Sequence, residues 1–200
     1  MYQTSSFSTF ILCFIFFFFF LSNNPAERTS AFEAGYSTID IINRTCKRCK
    51  EKSKSFNYDF CQSSLQVIPA SHVTNLQGLA VIGMELALEN ATTTISNIRS
   101  LLNTGSFKPF ALACLQNCLD LYSEAIVTLV DGVAVFLTGH YGIANVKVRA
   151  VMEAATTCEE GFNQKEGEVS PLTTENFSLF HLCDIALCII HWLTLVVPLS

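Results

Sequence analysis

The chain has 200 residues, nine of them cysteine, and carries twelve Lys and Arg against seventeen Asp and Glu, a formal net charge of −5 at pH 7. That length suits one domain with one sizeable core once a leader is removed, and the acidic balance argues against a nucleic-acid-binding function. The hydrophobic content of 50% is raised by the two chain ends, so it does not by itself indicate a membrane protein.

Phe10 to Leu21 is an unbroken apolar run that ends abruptly at Ser22-Asn23-Asn24-Pro25. A spanning helix needs about 20 apolar residues, so this run reads as the hydrophobic centre of a signal peptide. The leader is assigned to residues 1–26, with its end between 22 and 31 and the cut after Ala26 or Ala31. Charge is uneven beyond it. Arg44, Lys47, Arg48, Lys50, Lys52 and Lys54 fall within eleven positions, whereas five basic and thirteen acidic residues follow from position 55 onward. A solvated face accounts for such a run; the functional reading is an electrostatic contact with an acidic partner or with pectate. The run lacks stacking aromatics beyond Phe56 and Tyr58, which again argues against nucleic acid.

The segment from Ile39 to Leu65 is too polar to bury much area alone and is expected to be a hairpin of short helices. From Thr74 the apolar positions Leu76, Leu79, Ala80, Gly83, Leu86, Ala87, Ala91, Ile95, Ile98 and Leu102 keep a three-to-four spacing, which predicts a long helix stopped near Gly105. A second helix begins near Pro109 and is expected to bury Leu112, Leu115, Leu119, Tyr122, Ile126, Leu129 and Val133, ending at Thr138-Gly139. A third runs from about Tyr141 to Phe162 with Ala144, Val148, Val151, Ala155 and Cys158 inward. The fourth is introduced by Ser170-Pro171, a hydroxyl cap followed by Pro at the first helical position, and carries Leu172, Leu179, Leu182, Ala186, Ile189, Leu193 and Val196. Four stripes on short links predict an all-α, up-down-up-down antiparallel four-helix bundle behind an N-terminal helical hairpin. Ile185 to Leu199 is almost wholly apolar, but it is short for a span and it completes the fourth helix.

Catalytic chemistry finds no support in these residues. His72, His140, His181 and His191 are scattered, and none has a Ser or Cys partner in a recognisable elbow. Glu159 and Glu160 are adjacent, about 100° apart on a helix, and cannot face each other as an acid–base pair. Asp120, Glu124 and Asp131 read as the solvated side of the second helix. There is no Gly-rich phosphate loop and no His-Glu-x-x-His. Cys46-x-x-Cys49 lacks the βαβ surroundings of a redox motif, and export disfavours thiolate zinc, so neither a metal nor a cofactor is expected.

Taken in order, Asn57-Tyr58-Asp59-Phe60-Cys61, Cys118-Leu119-Asp120-Leu121-Tyr122-Ser123-Glu124-Ala125 and Thr157-Cys158-Glu159-Glu160-Gly161-Phe162 resemble the plant invertase and pectin methylesterase inhibitor family. Ala144-Asn145-Val146-Lys147 and the stretch Gly167 to Thr173 are similar to the plane-pollen allergen type within it. The resemblance covers residues 38–197. It implies two disulfides, Cys46 to Cys61 and Cys118 to Cys158; the first closes a loop that contributes about 3 kcal/mol in the chain-entropy model. Cys49, Cys114, Cys183 and Cys188 fall outside that framework and allow three pairings. For Cys114, Cys183 and Cys188 a buried, small apolar state is expected.

The resemblance further implies a secreted, monomeric inhibitor in the apoplast, cell wall or vacuole. Its partner would be an acid invertase or a pectin methylesterase, and it would have no membrane association after signal cleavage. A non-inhibitory structural bundle and a carrier of hydrophobic ligands are the competing readings. Invertase inhibitors of the family carry Pro-Lys-Phe between the second and third bundle helices. Here Gly139-His140-Tyr141 stands there, which marks His140 and Tyr141 as an exposed cation and aromatic for partner contact. The sequons at Asn43, Asn90 and Asn176 provide for glycosylation on export, with Asn43, in the polar hairpin, favoured.

Overall fold

The computed structural model describes the backbone of residues 30–196 and the side chains of residues 41–195. The expected leader and its cleavage site lie outside the described residues. The chain divides into two compact units, Met1–Ser37 and Thr38–Ser200, and the packing given below lies within the second. The helices are α1 (Ser30–Lys52), α2 (Tyr58–Gln66), α3 (Leu76–Thr104), α4 (Pro109–Leu137), α5 (Tyr141–Asn163) and α6 (Thr173–Val196), with a short 3-10 turn at Pro69–His72 between α2 and α3. Among the described residues there is no strand.

The four long helices α3 to α6 each pack on the next in sequence, and α6 returns to pack on α3, which closes an antiparallel bundle. Their starts follow from local chemistry. The Asn57 side chain accepts from the Phe60 N–H at 3.0 Å to begin α2, and Asn75 does the same for the Gly78 N–H at 3.0 Å to begin α3. Helix α3 therefore starts at Leu76 and not at Thr74. Pro109 opens α4, where a missing N–H costs nothing. Gly105 ends α3 with an ordinary φ of −80°; its N–H donates to Leu101 O at 2.8 Å, and a Cβ there would run into the Phe107 ring and that carbonyl. Helix α6 begins at Thr173, later than Ser170-Pro171 suggests. Ser170 Oγ instead accepts the Leu172 N–H at 3.1 Å, closing a turn one step before the helix.

The core is one cluster that runs the length of the bundle, with Leu79, Met84, Ile98, Leu115, Tyr122, Leu129, Phe162 and Leu179 fully enclosed. Burying such a side chain contributes roughly 1.5–3 kcal/mol. The inward face of α4 is Ala111, Leu115, Cys118, Tyr122, Ala125, Leu129, Gly132 and Phe136. This corrects the expected stripe by about one position: Leu112 is 36% exposed, and small residues take its place inside. The reason is close approach of neighbouring helices. A Cβ on Gly132 would sit in ordinary contact, 3.5 Å from Lys147 Cβ on α5, so a small residue suffices at that point of the seam.

Three disulfides, not two, are present among the described residues. Cys46 joins Cys61, so α1 is tied to α2, and Cys118 joins Cys158, so α4 is tied to α5. The third, Cys49 to Cys188, bonds α1 to α6 across a sequence separation of 139. Cys46 and Cys49 lie one turn apart on the buried face of α1, so one helix face holds both bridges. The expectation that Cys188 is a free apolar side chain is thereby corrected. Cys183 is a fully buried free thiol, its pKa raised by burial and by Asp184; Cys114 is half-buried and contacts Gly161 O at 3.5 Å.

Candidate contact surface at the α4–α5 turn

Helix α4 ends in a left-handed glycine. Gly139 has φ +82°, its N–H donates to Phe136 O at 2.9 Å, and the His140 N–H donates to Val135 O at 3.0 Å. This is the two-bond closure of a Schellman motif, and no side chain other than hydrogen takes that φ without strain. Helix α5 restarts at once, the Tyr141 N–H bonding Gly139 O at 2.9 Å and the Ala144 N–H bonding His140 O at 3.0 Å. The turn is therefore held by its backbone.

The two residues marked for partner contact part ways here. His140 is exposed, its Nδ1 2.9 Å from Thr138 Oγ1. Tyr141 is only 8% exposed. Its ring lies 5.0 Å from that of Phe136, and its hydroxyl accepts from Gln77 Nε2 at 2.7 Å. The expectation of an exposed aromatic at Tyr141 is thus corrected: the first residue of α5 faces inward and pins the turn to the start of α3.

What the turn does present is aliphatic. Leu137 is 68% and Ile143 52% exposed on either side of it, and Val127 and Val130 on α4 and Val146 on α5 are also well exposed. The Lys147–Asp131 ion pair, at 3.2 Å, bridges the two helices among them. These residues fall off the core stripes, so helical periodicity does not mark them; apolar side chains at positions the stripe leaves to solvent are their signal in the sequence.

The other candidate features lie elsewhere. In the basic segment, Lys50 Nζ donates to Lys54 O at 2.7 Å and Phe56 O at 2.9 Å, so it ties down the loop that follows α1, and the Arg48 guanidinium lies 4.3 Å from the Trp192 ring centroid. Asn43 is exposed and accepts through Oδ1 from the Tyr58 hydroxyl at 3.0 Å. Asn90 is half-buried, and Asn176 is buried. Asn176 Oδ1 accepts from Tyr122 OH at 2.7 Å while its Nδ2 donates to Glu159 Oε2 at 2.6 Å, and Thr173 Oγ1 donates to Glu159 Oε1 at 2.7 Å. This network joins α4, α5 and α6. Burial pushes the Tyr122 phenol well above its usual range, and Glu175 adds to that. Glu159 is thus occupied as a structural acceptor. Among the described residues no group of three or more His, Cys, Asp or Glu could hold a metal ion.

The model of the family described as plant invertase/pectin methylesterase inhibitor matches residues 40–189. The chain is 38% identical over 152 residues to a protein named "Putative invertase inhibitor" from Platanus acerifolia, covering 76% of this chain and 84% of that protein. It is 31% identical over 137 residues to pectinesterase inhibitor 2 of Arabidopsis thaliana, covering 68% and 78%. Among solved structures it resembles the crystal structure of a mutant form of a pectin methylesterase inhibitor from Arabidopsis. There the TM-score is 0.64 and the identity 27%, covering 74% of this chain and 95% of that one.

Proposed function

Because the chain belongs to the plant invertase/pectin methylesterase inhibitor family, we infer that it is a protein inhibitor and not itself an enzyme, and that it acts by binding an invertase or a pectin methylesterase. The observation that carries the reading is the family match over residues 40–189, on a bundle whose polar residues are spent on caps and on the Tyr122–Asn176–Glu159 network. Of the two targets we favour acid invertase. The invertase-inhibitor relative is 38% identical to this chain, against 31% for the pectinesterase inhibitor.

The contact we assign to the inhibitor is the α4–α5 turn with its exposed Leu137, His140 and Ile143. A rigid backbone turn loses little entropy on docking, and the aliphatic side chains it displays bury apolar area against a partner. The site of action is the apoplast, cell wall or vacuole: three disulfides suit an oxidising, exported protein, and the apolar run Phe10 to Leu21 reads as an export leader. Helix α6 is long and apolar enough to cross a membrane by length and composition. Its buried Leu179, Leu182, Ala186, Ile189 and Leu193 are core residues of the bundle, which supports a protein free of the membrane. The reading is tested by titrating the folded protein into an acid invertase and a pectin methylesterase at pH 5. Substoichiometric to equimolar loss of invertase activity supports it; loss of pectin methylesterase activity alone moves the assignment to the other target.

A further inference from the structure

The inhibitor reading leaves unused a groove of about 350 Å3 between α1, α5 and α6. It lies where the Cys49–Cys188 bridge fastens α1 to the bundle, so its two walls are held at a fixed separation. Met152 and Leu187 supply an aliphatic lining, Lys52 and Arg149 two cations, and Asp184 and Asn145 acceptors. Asp184 is half-buried; burial pushes its carboxyl up, against the pull of Arg149.

These groups together restrict the ligand. A neutral sugar would leave the Lys52 ammonium without a counter-charge and Arg149 with Asp184 alone. A simple polyanion would meet Asp184 with like charge. A molecule carrying both a carboxylate and adjacent hydroxyls offers a partner to each of Lys52, Arg149, Asp184 and Asn145, with its C–H face on Met152 and Leu187. We propose that this groove binds an acidic saccharide, a uronate whose carboxylate lies against Lys52 and Arg149 and whose hydroxyls donate to Asp184 and Asn145.

A longer uronate chain has a path out of the groove. Arg44, Arg48 and Lys52 recur at every fourth position of α1 and so form one row along the helix. Lys47 and Lys54 are exposed nearby on the same segment and form no ion pair among the described residues. The inference stands apart from inhibition: it concerns retention of the protein on a carboxylated wall polysaccharide, and neither Lys52 nor Arg149 belongs to the α4–α5 surface.

The test is calorimetric titration of the whole mature protein with three probes: a galacturonate hexamer, a galactose hexamer and polyglutamate of the same charge. The uronate is expected to bind at least tenfold more tightly than either of the others. The Lys52→Ala, Arg149→Ala double variant, whose substituted side chains are both exposed, is expected to lose at least tenfold in uronate affinity with a cooperative unfolding transition retained and enzyme inhibition unchanged. Asp184→Asn should weaken the uronate but not polyglutamate. Equal affinity for polyglutamate reduces the site to a basic surface suited to an acidic protein and overturns the proposal, as does absence of uronate binding or indifference to the double variant. Inhibition measured on the same preparation reports the other reading separately.

Discussion

Cys49 on α1 is bonded to Cys188 on α6, with their Cα atoms 6.0 Å apart. The bridge joins residues separated by 139 positions, and in the chain-entropy model a loop of that length stabilises by on the order of 5 kcal/mol, with the other two bridges reducing the figure. It fastens the basic segment to α6 and so fixes the separation of the groove's walls. The double variant Cys49→Ala, Cys188→Ala should lower stability by about 2–4 kcal/mol. Mass spectrometry of the non-reduced protein should find Cys46 with Cys61, Cys118 with Cys158 and Cys49 with Cys188. Recovery of Cys49 linked to Cys61 would contradict the arrangement.

At the turn, Gly139→Ala should cost about 1–2 kcal/mol through backbone strain alone, because the position has φ +82° and nothing within 4 Å of an added Cβ. Tyr141→Phe should cost about 1 kcal/mol, the net value of its bond to Gln77. Denaturant unfolding of both variants checks these figures. If Tyr141 instead contacted the enzyme, Tyr141→Phe would weaken inhibition without changing stability.

Glycosylation should discriminate among the sequons. Asn43 is exposed and accepts from Tyr58 through Oδ1, whereas Asn176 Nδ2 is bound to Glu159 in the core. Protein from the native secretory route is expected to carry glycan at Asn43 and none at Asn176, read by peptide mapping after glycosidase treatment. Glycan on Asn176 would be incompatible with the Tyr122–Asn176–Glu159 network.

Stability should fall between pH 7 and pH 5 in part through His181. Its pKa is lowered by burial, in a cluster where its ring lies 4.3 to 5.5 Å from those of Phe60, Phe177 and Phe180. A histidine whose folded pKa is depressed contributes stability above its unfolded pKa, and that contribution is lost as pH falls through the folded value. His181→Gln should therefore show a smaller drop in melting temperature over this interval than the parent protein. An equal drop would place the pH sensitivity elsewhere.

The bundle was legible in the sequence because its signal is local. Leu115, Tyr122 and Leu129 repeat at helical spacing, and Pro109 and Gly105 mark a start and a stop that need only neighbouring residues to act. The α4 stripe was rotated because hydrophobicity favours Leu112 over Ala111, whereas the bundle buries Ala111 and leaves Leu112 36% exposed. The third disulfide was illegible for the opposite reason: pairing Cys49 with Cys188 depends on where α6 crosses α1, which no local pattern encodes. Tyr141 misled because a residue just after a turn is ordinarily exposed. Its burial follows from the Schellman closure, which turns the first residue of α5 toward Phe136 and Gln77.

The most direct test of the account is inhibition of purified acid invertase by the folded protein at pH 5, alongside the Leu137→Asp, Ile143→Asp variant. Both positions are more than half exposed, so the variant should keep its melting temperature. The account predicts stoichiometric inhibition by the parent protein and at least a tenfold higher inhibition constant for the variant. Activity of both invertase and pectin methylesterase untouched by a large molar excess of folded protein would contradict it.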